Sequence, residues 1–428
     1  MERLNKELFK AIVTPAQNSV LTYPEKVLQF GTGVLLRALP EFYIDIANRE
    51  ERFCGRVVMV KSTPGEPDPA FEKQDCLYTH QIKGIQEGQL VEEVHINASI
   101  SRCLYAQKDW NKILAIAVSP ELEVIISNTT EVGIVYVKEG VVNGIPHSFP
   151  GKLLAILYQR YLYYHGDPQK GLIVLPTELI DNNADTLLNI LNQLAEFNQL
   201  SNEFIHWLNN SNNFCNTLVD RIVPGKINAS FQDKAQKELG YRDDLIIMSE
   251  PYALWAIEDK NGFLATKLGF LHDSLGCKLV DDLYVYKELK LRLLNATHSF
   301  CCAYAMRLGF TFVREAMQNA EFRNFVTRLM EEIKLVLKTD TMLNHDLINE
   351  FSAAVFDRIC NPFIDHKWES ISLYYATKVR VRCIPLIRKA IASETLGYDN
   401  MLKGLEEYNI FANGELSEFL QNEVYGKK

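Results

Sequence analysis

The chain has 428 residues, of which 47% are hydrophobic and 23% are charged, and its formal net charge is -9. This composition is that of an ordinary globular protein with room for two domains, and it excludes broad binding to nucleic acid or to anionic membranes. No stretch approaches the roughly 18 apolar residues of a membrane span, and the charged beginning of the chain does not resemble a signal peptide. We therefore expect a cytoplasmic protein without nucleic-acid or membrane partners.

The first part of the chain alternates the sequence patterns of strands and helices. An apolar run at residues 26–30 meets Gly31-Thr-Gly33, and a helical pattern begins at Val34 and continues to Ile46. The elements predicted after it are strands at 56–61, 77–82, 90–96, 124–127 and 172–175, and helices at 109–116, 152–164 and 185–198. This alternation predicts a mostly parallel sheet with helices on both faces, with 77–82 and 90–96 forming a hairpin.

Long helical patterns replace the strands beyond about residue 275. The helices predicted there span residues 283–308, 313–337, 347–359, 371–392 and 415–424. We therefore predict an α/β chain with a Rossmann-type dinucleotide-binding domain at 1–275. A mostly α-helical domain at 276–428 is predicted to bind the substrate and carry catalysis.

The strand-to-helix turn contains two of the three glycines of a dinucleotide-binding fingerprint. Glycines at such a turn let a pyrophosphate approach the backbone and the N-terminus of the following helix. Leu36 occupies the third glycine position, so the motif alone is equally compatible with a plain turn. The second strand ends in Lys61 without the carboxylate that selects NAD, so these residues leave NAD and NADP both open.

Three polar residues in an apolar helical stretch are candidates for the chemistry. On an α-helix, Lys290, Asn295 and His298 would fall within an arc of about 140°, with Lys290 and His298 roughly 12 Å apart along the axis. A lysine in apolar surroundings is a suitable proton donor and acceptor for an alcohol or ketone. Asn295 is suited to donate a hydrogen bond to the oxygen. The alternative is structural: a lysine reaching solvent, an asparagine bonded to the backbone and a histidine in the core.

The spacing of these three residues, K-x4-N-x2-H, resembles the catalytic signature of the polyol-specific long-chain dehydrogenases, the mannitol dehydrogenase type. Other stretches resemble this family in the same order along the chain: Phe30-Gly-Thr-Gly33 with Arg37-Ala38, Ser127-Asn-Thr-Thr-Glu-Val-Gly133, Asp181-Asn182, and Leu218-Val-Asp-Arg-Ile-Val-Pro224. The likeness runs from about residue 26 to about residue 388. Ala296 departs from it, standing where glycine is common.

The resemblance implies an NAD-dependent oxidoreductase that needs no metal. It implies Lys290 as general acid and base, Asn182 and Asn295 at the substrate carbonyl, and His298 at a neighbouring hydroxyl. Asp220 is implied at the active site as a substrate-binding residue, with a helix cap or a pair with Arg221 as its structural alternative. The residues implied to bind the cofactor are Phe30, Gly31, Thr32, Gly33, Ser127, Asn128, Thr129 and Glu131.

Within the family, residues 74–78, 127–131 and 290–295 resemble the branch that interconverts D-tagaturonate and D-altronate in hexuronate catabolism. The expected partner is thus a sugar acid, and the expected assembly is a monomer or small homo-oligomer. One alternative is a fructuronate reductase or a mannitol or other hexitol dehydrogenase of the same family. Another is a dinucleotide-binding redox sensor without catalysis.

A uronate substrate requires a cation that a neutral polyol does not. Arginine binds carboxylates through two parallel hydrogen bonds. Candidate cations lie in residues 358–366 and 374–385, and we expect substrate binding by Arg358, Lys378 and Arg380. The resemblance points most directly to Lys378. The alternative is a helix face whose basic residues are simply solvated.

Overall fold

The computed structural model describes residues 1–129, 133–225, 227, 229–393 and 397–427. Two compact units make up the chain. The first unit comprises Met1–Ile82, Glu93–Ser249 and Ala253–Leu283, and the second comprises Lys83–Glu92, Glu250–Tyr252 and Tyr284–Lys428. Within the described ranges, every helix is too short or too polar to cross a membrane.

The strands, in chain order, are β1 (Glu25–Phe30), β2 (Arg56–Lys61), β3 (Tyr78–Gln86), β4 (Gln89–Asn97), β5 (Ile100–Tyr105), β6 (Val124–Ser127), β7 (Ile173–Pro176), β8 (Asn213–Phe214), β9 (Thr217–Asp220), β10 (Ile247–Ser249), β11 (Leu254–Glu258) and β12 (Cys277–Val280). Six of them form a parallel sheet in the order β5-β2-β1-β6-β7-β8. When these six strands are numbered 1 to 6 in chain order, the sheet order is 3-2-1-4-5-6, which is the strand order of a Rossmann fold. The fold-class prediction is therefore confirmed for the first unit.

Apolar cores on both faces of this sheet include residues from helices. The α-helices of the first unit are α1 (Lys6–Ile12), α2 (Pro15–Asn18), α3 (Val34–Ala38), α4 (Pro40–Arg49), α5 (Pro69–Lys73), α6 (Ala106–Ala117), α7 (Phe149–Tyr163), α8 (Asn183–Phe197), α9 (Asn202–Ser211) and α10 (Ala229–Leu239), with single 3-10 turns at Ser19–Thr22, Pro168–Lys170, Leu264–Thr266 and Asp273–Leu275. Leu28 and Phe30 of β1 pack into the core cluster that contains residues of α6 to α9, whereas Val27 packs into the cluster that contains residues of α4. Because side chains alternate along a strand, one apolar run supplies both cores.

Two smaller sheets have the strand orders β10-β3-β4 and β12-β11-β9. The sequence patterns predicted the strands now seen as β3 and β4 but missed β5 and β8 to β12. The missed strands are two to six residues long and lack a sustained alternation. Short apolar runs do not distinguish strand from helix by periodicity, which accounts for these omissions.

The second unit is mostly helical, as its sequence predicts. Its α-helices are α11 (Tyr284–Leu289), α12 (Thr297–Arg307), α13 (Val313–Gln318), α14 (Ala320–Leu337), α15 (His345–Ile359), α16 (Trp368–Ile371), α17 (Tyr375–Lys378), α18 (Ile384–Ala392), α19 (Asp399–Phe411) and α20 (Ser417–Phe419), followed by a 3-10 turn at Tyr425–Lys427. Three segments are π-helical: Lys290–Ala296, Val379–Cys383 and Leu420–Val424. The stretches predicted as helices at 283–308, 371–392 and 415–424 thus each contain π-helical turns.

Candidate functional site

The glycine turn follows β1 at the carboxyl edge of the parallel sheet. Gly31 has φ of +129°, and its N–H donates to the Val60 carbonyl at 3.0 Å. A Cβ atom at Gly31 would lie 2.9 Å from the Asn128 carbonyl oxygen, so a larger residue does not fit. At Gly33, by contrast, a Cβ atom would meet no described atom within 4 Å, which leaves this side of the turn open to a ligand.

Phe30 and Thr32 complete the predicted nucleotide turn. The Phe30 side chain is fully buried in the core, and its carbonyl accepts a hydrogen bond from the Asn128 N–H at 3.0 Å. Thr32 is half-buried. Phe30 is therefore available to a cofactor only through its backbone. After the turn, the helix predicted to run from Val34 to Ile46 is broken at Leu39, before Pro40.

A buried carboxyl group lies behind the turn, and the sequence analysis missed it. Gln29 Nε2 donates to Glu41 Oε1 at 2.6 Å and to the Gly31 carbonyl at 3.2 Å. Burial raises the pKa of the Glu41 carboxyl to about 7, against the opposing hydrogen bonds from Gln29 and Tyr78 and the charge of Arg37. A glutamine within an otherwise apolar strand was the available sequence signal.

Ser127, Asn128 and Thr129, predicted to bind the cofactor, are fixed by the two residues that follow β7. Ser127 Oγ and Thr129 Oγ1 donate to the Glu178 carboxylate at 3.0 and 2.9 Å. Asn128 Nδ2 donates to the Thr177 carbonyl and to Thr177 Oγ1, both at 3.0 Å. Thr177 and Glu178 are therefore positioning residues that the sequence analysis did not identify. Their signal was a polar pair directly after an apolar strand.

The other residues predicted in this unit differ in their settings. Asn182 is exposed, has a left-handed backbone (φ of 48°) and precedes α8. Asp220 is buried at the end of β9. Arg221 donates to the Ala38 carbonyl at 2.6 Å and lies over the Phe42 ring, so its guanidinium holds the chain after the glycine turn. Glu131 lies outside the described residues.

The segment that carries Lys290 and Asn295 is π-helical, not α-helical as the predicted arc assumed. A π-helix closes its hydrogen bonds five residues along the chain and so has more residues per turn than an α-helix. The angle around the helix axis between two residues five apart, such as Lys290 and Asn295, is therefore smaller in a π-helix than in an α-helix. Both are half-buried, whereas His298 on α12 is buried. π-helical turns occur frequently at functional sites.

The orientation of the His298 ring determines which nitrogen can contact a ligand. Nδ1 lies 2.9 Å from the Leu294 carbonyl oxygen, which can only accept, so Nδ1 carries the proton. Burial lowers the pKa of His298 to about 3, assisted by the positive charges of His366, Arg358 and Arg382 and opposed by the Leu294 hydrogen bond. The ring is therefore neutral, and Nε2 is an acceptor.

The predicted carboxylate-binding residues have different partners within the second unit. Arg358 forms a buried pair with Glu250, in which the two side chains are only 2% and 1% exposed. Arg380 is exposed and pairs with Glu415 at 2.5 Å. Lys378 is half-buried and donates to the Ile371 carbonyl at 2.8 Å. The three cations that the sequence grouped together are thus in distinct electrostatic environments.

Two further features of the described residues complete the description. No group of three or more His, Cys, Asp or Glu side chains in the described ranges is arranged to hold a metal ion. A groove of about 690 Å³ on the first unit is lined by residues of α6, α7 and the segment between 141 and 145. This groove contains none of the residues that the sequence analysis assigned to a site.

Sequence models of two protein-family domains match this chain. The Mannitol dehydrogenase Rossmann domain matches residues 25–269, and the Mannitol dehydrogenase C-terminal domain matches residues 282–418. Two solved structures share the fold. A D-sorbitol dehydrogenase in substrate-free form has a TM-score of 0.78 at 20% identity, covering 95% of this chain and 84% of that chain. Mannitol 2-dehydrogenase of Pseudomonas fluorescens, solved with NAD and D-mannitol, has a TM-score of 0.70 at 21% identity, covering 99% and 89%.

Relatives with higher identity carry the name altronate oxidoreductase. The protein from Bacillus subtilis (strain 168) is 37% identical over 391 residues, which are 91% of this chain and 78% of that protein. The protein from Shigella flexneri is 37% identical over 366 residues, which are 85% of this chain and 74% of that protein. With both family domains matched in order and these relatives aligned over most of its length, the chain belongs to the mannitol dehydrogenase family of oxidoreductases.

Proposed function

We propose that this chain catalyses the reversible, NAD-dependent reduction of D-tagaturonate to D-altronate without a metal ion, as a cytoplasmic step of hexuronate catabolism. The observation that carries the proposal is the 37% identity to proteins named altronate oxidoreductase over 85 to 91% of the chain. The Lys290, Asn295 and His298 set supplies the chemistry that such a reaction requires.

The first unit has the features that a dinucleotide requires. Ligands of open parallel sheets bind beyond the carboxyl ends of the strands, where the strand order reverses. In this sheet the reversal lies between β1 and β6, where Gly31 packs against Asn128 and Gly33 is open. Lys61 Nζ donates to the Glu66 carbonyl at 2.9 Å, so it already has a partner in the loop after β2. This supports NAD rather than NADP as the cofactor.

The side chains of the second unit account for the proton that the reaction needs. A bound reduced nicotinamide supplies a hydride to the keto carbon. Lys290, as an ammonium group, gives a proton to the carbonyl oxygen, so the ketone becomes a secondary alcohol and the lysine becomes neutral. In the opposite direction, neutral Lys290 takes the hydroxyl proton.

Neighbouring polar groups orient the substrate for this proton transfer. Asn182 of the first unit and Asn295 of the second unit are each suited to donate an amide hydrogen bond to the substrate carbonyl oxygen and so to stabilise the charge that develops on it. His298 accepts a hydrogen bond at Nε2 from an adjacent hydroxyl, because Nδ1 is engaged by Leu294. Asp220 accepts from a further hydroxyl.

The test is a steady-state assay of NADH absorbance with tagaturonate, fructuronate and fructose, each with a chelator present. The wild type is compared with Lys290→Met, which keeps the aliphatic stem but removes the ammonium group. Lys389→Met, an exposed position on α18, is the matched control. We expect rapid oxidation with tagaturonate that survives the chelator, a loss of at least 100-fold in Lys290→Met, and no change in the control.

Binding of NADH, followed by fluorescence titration, should be equal in the three proteins. A loss of activity in Lys290→Met with intact NADH binding identifies the proton donor rather than a folding defect. Preference for fructuronate or fructose, or inactivation by the chelator, would contradict the proposal.

A further inference from the structure

Four side chains form a cluster in the second unit: the two cations Lys378 and Arg382, and the imidazole rings of His298 and His366. The His298 and His366 ring centroids lie 5.4 Å apart. The charge of Arg382 acts on both His298 and Lys378, and that of Lys378 acts on His366. Burial lowers the pKa of Lys378, and the positive charge of Arg382 lowers it further. The positive charges of Lys378 and Arg382 thus act on the same small set of groups, so the cluster favours an anion.

Arg382 differs from the other arginines near it in its partners. Arg358 is neutralised by Glu250, and Arg380 is neutralised by Glu415. Arg382 is half-buried, and its guanidinium makes one long hydrogen bond, from Nη1 to Ser299 Oγ at 3.4 Å. In the part of the chain that the structure describes, no carboxylate forms an ion pair with it. A partly buried guanidinium with five N–H donors and one weak bond can accommodate a bidentate anion.

The position of Arg382 is fixed relative to the predicted catalytic segment. Ser299 Oγ, which accepts from Arg382, donates to the Asn295 carbonyl at 2.9 Å. Arg292, within the same π-helical segment as Asn295, donates to the carbonyls of Val381 and Arg382 at 2.8 and 3.1 Å. Arg292 therefore links the π-helical segments Lys290–Ala296 and Val379–Cys383, and Ser299 links the Arg382 guanidinium to the backbone of Asn295.

We propose that Arg382 binds the carboxylate of the sugar acid and so makes the site specific for an aldonate or uronate over a neutral polyol. This inference rests on the proposed function, whose substrate class it explains. Lys378 contributes charge to the cluster but is a point donor already bonded to the Ile371 carbonyl. The planar fork of an arginine matches both oxygens of a carboxylate, which a single ammonium group does not.

The experiment compares an anion with its neutral counterpart on the NAD⁺-saturated protein. Titration calorimetry measures the binding of altronate and of altritol, in which an alcohol replaces the carboxylate. The proteins are the wild type, Arg382→Gln, Arg382→Lys and the control Arg388→Gln, an exposed arginine that pairs with Glu423. Steady-state assays with tagaturonate and fructose accompany the titrations.

We expect Arg382→Gln to weaken altronate binding by at least about 30-fold, the effect of removing one partner of a desolvated charge pair. Its dissociation constant for altritol should change by less than about threefold, which is the size of effect expected of an ordinary surface substitution. Arg382→Lys should fall between the two, because it keeps the charge and loses the fork. Arg388→Gln should match the wild type.

The outcomes separate this inference from the proposed function. If the wild type reduces tagaturonate and Arg382→Gln binds altronate as tightly as the wild type, the inference is overturned and the function stands. Equal losses for altronate and altritol overturn it as well, since they indicate a structural role. If the wild type prefers a different sugar acid, the proposed function fails, and the inference is upheld only if Arg382→Gln loses that acid. A wild type that binds no sugar acid overturns both.

Discussion

At the scale of single residues, the hydrogen bonds around Tyr78 are compatible with a protonated Glu41. The Tyr78 hydroxyl lies 2.7 Å from the Arg37 carbonyl and 2.8 Å from Glu41 Oε2. One hydroxyl proton cannot serve two acceptors, and a carbonyl has no proton to offer. A protonated Glu41 resolves this by donating to the Tyr78 oxygen while Tyr78 donates to Arg37. The geometry therefore agrees with the raised pKa of about 7.

This arrangement predicts the effect of replacing Glu41 with glutamine. The amide of Glu41→Gln can donate to Tyr78 and accept from Gln29, so it reproduces the protonated carboxyl. Because the folded pKa of Glu41, about 7, exceeds the ordinary value of 4.5, its contribution is full below pH 4.5 and is lost as pH rises through 7. That contribution is on the order of 3 kcal/mol.

Urea unfolding of the wild type and Glu41→Gln over this pH range measures the difference. We expect the variant to be as stable as the wild type at the acidic end and more stable at the alkaline end. Glu72→Gln, on the exposed surface of α5, is the control. Equal pH dependence in wild type and Glu41→Gln would show that Glu41 is ionised throughout.

The candidate carboxylate-binding residues illustrate what a sequence can and cannot predict at this scale. Lys378, Arg380 and Arg382 share one short stretch, and their residue types alone are equivalent cations. The structure separates them through partners that are distant in the chain: Arg380 pairs with Glu415, 35 residues away, and Arg358 with Glu250, 108 residues away. Such long-range pairing leaves no local pattern, so Arg382 could not be singled out in advance.

At the scale of elements, local patterns predicted the start of the fold well. The strand β1, its glycine turn and the helix after it are determined by residues that are neighbours in sequence, and all three are present. The π-helical segment at Lys290–Ala296 was not predicted, because its apolar pattern is compatible with an α-helix over so few residues. Packing against the second π-helical segment, through Arg292 and Ser299, provides hydrogen bonds that a periodicity argument does not include.

At the contact between α12 and α19, the cost of overpacking can be compared with the gain from a better helix propensity. Gly404 lies in the middle of α19 and is buried. A Cβ atom there would lie 2.9 Å from the Phe300 Cβ, Cδ1 and carbonyl oxygen, including a backbone atom that cannot move alone. Alanine gains about 1 kcal/mol over glycine from helix propensity, whereas overpacking costs about 1 to 3 kcal/mol.

We therefore expect Gly404→Ala to lower the free energy of unfolding, by up to about 2 kcal/mol, despite its better propensity. Thermal and urea denaturation followed by circular dichroism would measure this. Ile410→Ala, at a position of α19 that is 67% exposed, is the control and should have little effect. If Gly404→Ala is more stable than the wild type, α12 and α19 can move apart enough to accept the added methyl group without a loss in the free energy of unfolding.

At the scale of the whole molecule, three buried carboxyls of the first unit and two buried histidines of the second have pKa shifts of opposite sign. In the first unit, burial raises the pKa of the Glu41, Glu178 and Asp243 carboxyls. In the second, burial lowers the pKa of His298 and His366. Burial favours the neutral form of each group. Acidification protonates a carboxylate to its neutral form, whereas it protonates an imidazole to its charged form. The contributions of these two sets of groups to stability should therefore respond to pH in opposite directions.

The sign for each unit follows from proton linkage. A carboxyl with a raised folded pKa binds more protons in the folded state, so Glu41, with a pKa of about 7, adds stability to the first unit as pH falls from about 7 to about 5. His80 in the same unit acts in the opposite direction, because burial lowers its pKa, so the contribution of Glu41 is read from the comparison with Glu41→Gln. A histidine with a lowered folded pKa binds more protons when unfolded, so the second unit loses stability over the same range.

Hydrogen exchange at several urea concentrations can follow each unit separately, using peptides that contain β6 of the first unit and α14 of the second. On acidification from about pH 7 to about pH 5, after correction for intrinsic exchange, protection of β6 should rise in the wild type relative to Glu41→Gln, and protection of α14 should fall in both proteins. An unchanged α14 response in Glu41→Gln ties the difference in β6 to a named group. Parallel changes in both peptides would mean that the units unfold together, with one net proton linkage for the whole chain.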